Sequence, residues 1–260
     1  MLMLVEFQAR LAGAPQPIQA SQSIWEPLVR GRDGPRFMPP VCGTVYGTLL
    51  NHRDALAALG EQVHAPPYKA PPNAPILHIK PRNTLVGHRE PIVVPPGELE
   101  LAIGGTLGVV IGRTASRVSA AQALEFVAGY TVVNDISVPH ASLYRPALRF
   151  TCCDGFCPIG PWIVPRARVP DPDALGITVC IDGASAQRSN TAGLIRPVAK
   201  LLADVTDFMT LHPGDVLCVG VAARAPRARA GQRVSIRIDR VGVLENTLVR
   251  AGQAFATVAP

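Results

Sequence analysis

Five basic residues and one acid fall in or beside a few distinctive strings in the middle of the chain. Lys80 and Arg82 lie in the string LHIKPRNT, the run VAGYTVVNDIS contains Asp135, and His140, Arg145 and Arg149 follow it. A guanidinium is a planar fork that matches a carboxylate with two hydrogen bonds, and an ammonium is a compact point charge. Such a group is suited to a small polyanionic ligand. Taken singly, each of these cations is equally well read as half of a surface ion pair of little energetic weight. Asp135 is equally well read as a structural acid held by backbone donors. A second acidic pair, Glu98 and Glu100 in GELEL, reads as a surface or strand-start feature.

Composition narrows the partner. The 260 residues carry a formal charge of +6, with 48% hydrophobic and 17% charged residues. That balance fits a folded domain and excludes a mostly disordered chain. The Arg residues are spread out and interleaved with Asp and Glu, which argues for a small anionic substrate and against nucleic acid. The densest basic stretch, RAPRARAGQRVSIRIDR, alternates around Val234, Ile236 and Ile238 as a half-buried strand does. No apolar run has the length of a membrane span, and the opening MLMLVEFQAR lacks the apolar core of a secretory signal, so a cytoplasmic location is expected. The six cysteines show no paired CxxC spacing of a zinc site and are expected as reduced thiols.

The elements that must position these groups are mostly strands. A strand over Leu2 to Phe7 and loops ending at Pro39 and Pro40 make residues 1–42 a small appendage, with the main domain over 43–255. VYGTLL, Ile76 to Lys80, the LGVVIG stretch, Tyr130 to Ile136 and VLCVG read as strands. The sequence Asp182-Gly183 marks a hairpin turn. His64 to Pro75 is too rich in proline for regular structure. Ser119 to Gln122 has the pattern of a capping box and predicts a helix carrying Leu124, Phe126 and Val127, ended by Gly129. Val198, Leu201, Leu202, Val205, Phe208 and Met209 are spaced as one apolar helix face. Asp154-Gly155 and His212-Pro213-Gly214-Asp215 read as turns. The predicted class is mixed α+β, predominantly β, with helices packed outside.

Five strings occur in a familiar order: KPRNT, LGVVIGR, VAGYTVVNDIS, DGFCPIGPWIV and DFMTLHPGDVL. Together they resemble the fumarylacetoacetate hydrolase superfamily. NHRDAL, PPYKAPPNAPILHIKPRNT and YRPALR are most similar to the amino-terminal half, or subunit, of its two-part isomerase/decarboxylases of aromatic-acid degradation. The resemblance implies the family's β-roll with peripheral helices. It also implies a 2-oxo or 2-hydroxy unsaturated di- or tricarboxylic acid as substrate, of the 5-carboxymethyl-2-oxo-hex-3-ene-1,7-dioate type. Relatives hold Mg²⁺ or Mn²⁺ with Glu-x-Glu before the LGVVIG-type strand and an Asp after the GYTVxN strand, a carboxylate set that suits a hard cation. Such a cation stabilises the dienolate formed when CO₂ leaves.

Against that pattern, the two Glu positions fall on Gly104 and Thr106, and Asp135 alone remains. Glu98 and Glu100 lie six positions too early. Ala55 and Ala58 replace the His and Glu of the lid, with His52 as a possible substitute, and Val221 replaces a hydroxyl-bearing residue. The resemblance therefore implies Asp135, His140 and His52 as catalytic groups. Lys80, Arg82, Arg145, Arg149 and Thr106 are the implied substrate contacts, with at most a weak metal site at Asp135. Two functions follow from it: an isomerase/decarboxylase subunit, or a degenerate partner that pairs with a metal-bearing homologous subunit. A homodimer or heteromer is expected in either case.

Overall fold

Alternating apolar residues and turn signals condense into two large sheets that share one core. The computed structural model describes residues 6–12, 16–21, 36–66, 69–140 and 147–252. Its first strands are β1 Glu6–Leu11, β2 Ile18–Ser21, β3 Phe37–Met38, β4 Val45–Leu49, β5 Ile76–Lys80, β6 Leu85–Val86, β7 Ile92–Val94 and β8 Leu101–Ala102. There follow β9 Gly105–Ile111, β10 Val127–Asn134, β11 Cys157–Pro165, β12 Gly176–Ile181, β13 Ala184–Asn190, β14 Val216–Cys218, β15 Arg227–Ala228, β16 Arg233–Ile238 and β17 Gly242–Arg250.

The larger sheet has the order β2-β1-β11-β10-β9-β14-β4-β5, and the second runs β13-β12-β16-β17-β7. β9 and β10 are buried along almost their whole length, as strands covered on both faces are. Leu107, Val109, Val132 and Val164 of the first sheet meet Ile177, Val179, Ile236 and Leu244 of the second in one cluster. The sheets close tightly at Gly105, where an added Cβ would lie 2.9 Å from Val179 and 3.1 Å from Ile236. The result is the expected architecture, mixed α+β and predominantly β, with its short helices outside.

Several local expectations hold. Asp182 and Gly183 both take positive φ, 50° and 85°, as a tight hairpin turn between β12 and β13 requires. Val234, Ile236 and Ile238 are buried while Arg233 before them and Arg237 between them are exposed. The carboxylate of Asp215 accepts from the backbone N–H of Thr44 at 2.7 Å and of His212 at 2.8 Å, so this acid closes a turn.

Other expectations are corrected. Ser119 to Gln122 starts no α-helix: the Ser119 hydroxyl donates to the Gln122 side chain at 3.0 Å, and a single 3₁₀ turn, Ala123–Phe126, leads straight into β10. Gly129 does not end a helix but lies inside that strand, where a Cβ would come 2.1 Å from the Val164 carbonyl oxygen of β11. Tertiary pairing overrides the local helix signal here. In the helix Val198–Phe208, Val198, Leu201, Leu202 and Val205 are buried, but Phe208 is 63% exposed. The first described strand runs Glu6–Leu11, so it continues past the expected end at Phe7, while Leu2 to Val5 lie outside the described residues. It pairs with β11 through Gln8↔Ile163 and Ala9↔Trp162, and Phe37 is buried in the main core, so these parts of residues 1–42 are built into the principal sheet.

Candidate active site

Asp135 follows the last residue of β10, at a point where three pieces of backbone converge. Its N–H donates to the Gly104 carbonyl at 2.8 Å, just before β9, and the next N–H, of Ile136, donates to Phe156 at 3.1 Å, just before β11. The carboxylate then meets β5, the edge strand of the sheet. Strand alternation places His78 and Lys80 on one face of β5 and turns Ile79, 51% exposed, to the other. Lys80 Nζ lies 2.7 Å from Asp135 Oδ1, and His78 Nε2 lies 3.1 Å from Oδ2. Burial pushes the Asp135 carboxyl up, but the Lys80 charge and the His78 hydrogen bond outweigh it and hold the group well below the usual carboxylate range.

Lys80 is bonded inward, although it also contributes to the groove that Arg82 lines. Besides Asp135, its ammonium donates to the carbonyls of Ile136 at 2.7 Å, Thr151 at 2.9 Å and Phe156 at 3.1 Å. Four acceptors surround three hydrogens, and the side chain is 1% exposed. Thr106 is likewise bonded inward: its hydroxyl donates to the Gly220 carbonyl at 2.9 Å and accepts from the Gly220 N–H at 3.2 Å, fully buried.

The carboxylate cage of the family does not fit these residues. A Cβ at Gly104 would come 2.4 Å from the Asp135 carbonyl oxygen and 3.0 Å from a methyl of Val221, so Val221 fills the space beside that position. Both oxygens of Asp135 are taken by nitrogen donors. Among the described residues no three His, Cys, Asp or Glu side chains are grouped as metal ligands. Glu100 is bound to Arg227 at 2.6 Å on the β8–β15 ribbon, a surface role. Beneath the cluster, burial raises the Cys157 thiol to about 12 and the Cys218 thiol well above its ordinary value, so both stay protonated.

The other candidates make contacts of their own. His52 pairs with Asp54 at 2.5 Å and approaches the Asn190 carbonyl at 3.2 Å, while Asp54 accepts from the Ala223 N–H at 3.0 Å. His140 Nδ1 donates to the Val138 carbonyl at 2.8 Å, and its ring stacks on Phe150 at 5.4 Å. Among the described residues neither histidine is hydrogen-bonded or ion-paired to Asp135. Arg82 is exposed and lines a surface groove of about 840 Å³ with Arg10, Met38 and Ile79. Arg149 is exposed on the four-residue helix Leu148–Thr151, and Arg145 lies outside the described residues.

His78 is the group that sequence reasoning missed. It lies within the string PPYKAPPNAPILHIKPRNT, which gives it no role; the usable signal was the alternation His78-Ile79-Lys80, which puts two basic side chains on one strand face.

This fold and this site define a member of a metabolic enzyme family. The chain belongs to the fumarylacetoacetate hydrolase family, with residues 44–249 matching the description "Fumarylacetoacetate (FAA) hydrolase C-terminal". It is 43% identical over 207 residues to the 4-hydroxyphenylacetate degradation bifunctional isomerase/decarboxylase of Salmonella dublin, an alignment covering 80% of this chain and 47% of that one. The chain thus spans about half the length of the curated relatives it matches most strongly. Its structure resembles that of 2-hydroxyhepta-2,4-diene-1,7-dioate isomerase from Mycobacterium marinum, with TM-score 0.74 and 27% identity over 95% of this chain and 99% of that one. The same fold occurs in fumarylpyruvate hydrolase from Pseudomonas aeruginosa, solved in complex with Mn²⁺ and pyruvate, at TM-score 0.72 and 22% identity over 96% and 98% of the two chains. Among the described residues no helix is long and apolar enough to cross a membrane.

Proposed function

We propose that this chain is a subunit of an isomerase/decarboxylase of aromatic catabolism, acting on 2-oxo or 2-hydroxy unsaturated di- or tricarboxylic acids. The observation that carries the reading is Asp135, held ionised between Lys80 and His78 where the ends of β10, β9 and β11 meet. A polar, partly open centre of this kind is suited to moving protons along a conjugated acid. The relatives' names support the substrate class. Exposed Arg82 and Arg149, with Arg145 of the intervening segment, are the proposed partners of the substrate's carboxylates, and His52 and His140 the proposed polar groups at the rim.

A second reading is favoured by the inward bonds of Lys80 and Thr106, which leave fewer groups for a ligand. In it, the chain is a catalytically degenerate partner that pairs with a metal-bearing homologous subunit. Turnover of an acid of this class, assayed for the chain alone and with such a subunit, with and without Mg²⁺ or Mn²⁺, separates the two. Turnover by the chain alone supports the first. Turnover only by the pair, unaffected by Asp135→Ala in this chain, supports the second, and no turnover in any combination contradicts the enzyme.

A further inference from the structure

Resting on the reading above for the substrate class, we infer that the groove lined by Arg10 and Arg82 is a binding site for an unsaturated dicarboxylate, each guanidinium receiving one carboxylate. The roll brings the two arginines together from distant parts of the sheet. Strand β11 pairs at its start with β6, through Cys157↔Leu85, and further along with β1, through Ala9↔Trp162. Arg82 stands just before β6 and Arg10 lies on β1, and both line one groove of about 840 Å³. That volume falls among those of small-molecule sites, about 300–1,000 Å³.

The positive charge of the groove is uncommitted. Among the described residues neither arginine is paired with a carboxylate: Arg82 donates no hydrogen bond, and Arg10 makes one long contact, 3.5 Å to the Val41 carbonyl. Arg36, Arg113, Arg196 and Arg227, by contrast, each hold an acid. The Lys80 charge is taken up by Asp135, so Lys80 contributes surface and not a free cation. Asp215, the acid among the lining residues, is closed off as well: Oδ1 accepts from the Thr44 N–H and Oδ2 from the His212 N–H. An unpaired guanidinium fork matches a carboxylate with two parallel hydrogen bonds. Two such forks on separate segments suit a ligand with a carboxylate at each end.

The rest of the lining selects the middle of the ligand. Met38 and Ile79 are 44% and 51% exposed, and Val41, Pro81 and Leu85 add to the apolar surface. A conjugated carbon chain seated there takes apolar area out of water on both sides, and its rigidity means that little conformational freedom is lost on binding. Arg10, Met38, Val41 and Cys42 all precede the segment 44–249 that matches the family, so part of the groove is built from residues that no family motif supplies. Arg10 is thus a specificity-determining residue particular to this chain, and strand β1 serves binding as well as the sheet.

The test is calorimetric titration of the full chain with trans,trans-hexa-2,4-dienedioate, a diacid with no 2-oxo or 2-hydroxy group to react. We expect saturable binding, with hexa-2,4-dienoate, which has one carboxylate, weaker by about 10-fold or more. Arg10→Met and Arg82→Met should each weaken the diacid by about 10–100-fold at an unchanged thermal midpoint. Arg113→Gln, which removes a cation paired with Glu125, controls for net charge and should bind as wild type does. A second readout needs no variant: Cys42 is exposed and lines the groove, so the bound diacid should slow its alkylation by iodoacetamide without slowing that of Cys180 on β12. Absence of binding, equal binding by Arg10→Met, equal affinity for the monoacid, or unslowed alkylation of Cys42 overturns the inference while the proposed function stands. Cys42 already shielded in the free protein by a second copy of the chain overturns it too. Binding as expected by a chain that turns over no acid of the class, alone or paired, keeps the groove and sinks the proposed function.

Discussion

His78 occupies the space that a side chain on Gly47 would fill: an added Cβ at Gly47 would lie 2.0 Å from His78 Cε1 and 2.2 Å from Nε2. The two residues are direct partners across β4 and β5, so the smallest residue on one strand lets the imidazole of the other reach Asp135. Gly47→Ala is therefore expected to push the ring off Asp135. Overpacking should cost about 1–3 kcal/mol of stability, and misplacement of the ring should lower kcat/KM by about 10²-fold. Urea unfolding and steady-state kinetics check the two effects, and an unchanged kcat/KM would show that the contact is incidental.

Lys80 is expected to matter for the fold before it matters for catalysis. Lys80→Met leaves Asp135 and three carbonyls without their shared donor. Breaking a buried ion pair by removing one partner costs about 3–5 kcal/mol. The shift in urea midpoint measures it. A loss below about 1 kcal/mol, the range of exposed pairs, would place Lys80 at the surface in solution.

Restoring one family carboxylate should not restore a metal site. Gly104→Glu would drive its Cβ against the Asp135 carbonyl and Val221, so lower stability is expected, by about 1–3 kcal/mol, with no gain in cation affinity. Calorimetric titration with Mn²⁺ checks this, and a new binding isotherm in the variant would contradict it.

His88 predicts an acid-sensitive fold. Burial and the nearby Arg89 charge lower its pKa from 6.5 to about 3, and its Nδ1 accepts from the Glu245 N–H at 3.1 Å. The folded state thus keeps His88 neutral where the unfolded chain takes up a proton. Its contribution is fully present above pH 6.5 and is lost as pH falls from there toward 3, at no more than about 1.4 kcal/mol per pH unit. Chemical unfolding between pH 7 and 4 measures this slope. His88→Gln should flatten it, and an identical slope in the variant would assign the effect elsewhere.

Much of this architecture was legible because period-2 patterning and turn chemistry agree with the tertiary structure. VSIRI alternates in the sequence and in the fold, and the Asp182-Gly183 turn follows from residues that tolerate positive φ. What failed was local signal without its context. Ser119 to Gln122 has helix chemistry, yet the pairing of β10 with β9 and β11 claims the residues that follow. Phe208 fits an apolar spacing but falls at the last helical residue, past the packed face. Within the site, Asp135 was legible from its motif. The inward turn of Lys80 and the arrival of His78 depend on which face of β5 meets Asp135, and no single string encodes that pairing.

The central claim is that Asp135, fixed by Lys80 and His78, serves a conjugated keto acid by proton transfer with no cation held by this chain. Its most direct measurement is the rate at which the metal-stripped, purified chain converts a 2-hydroxy-2,4-diene-1,7-dioate, followed by loss of dienol absorbance. Steady conversion that EDTA leaves unchanged is the expected result. Conversion that appears only when Mg²⁺ or Mn²⁺ is added back would contradict it.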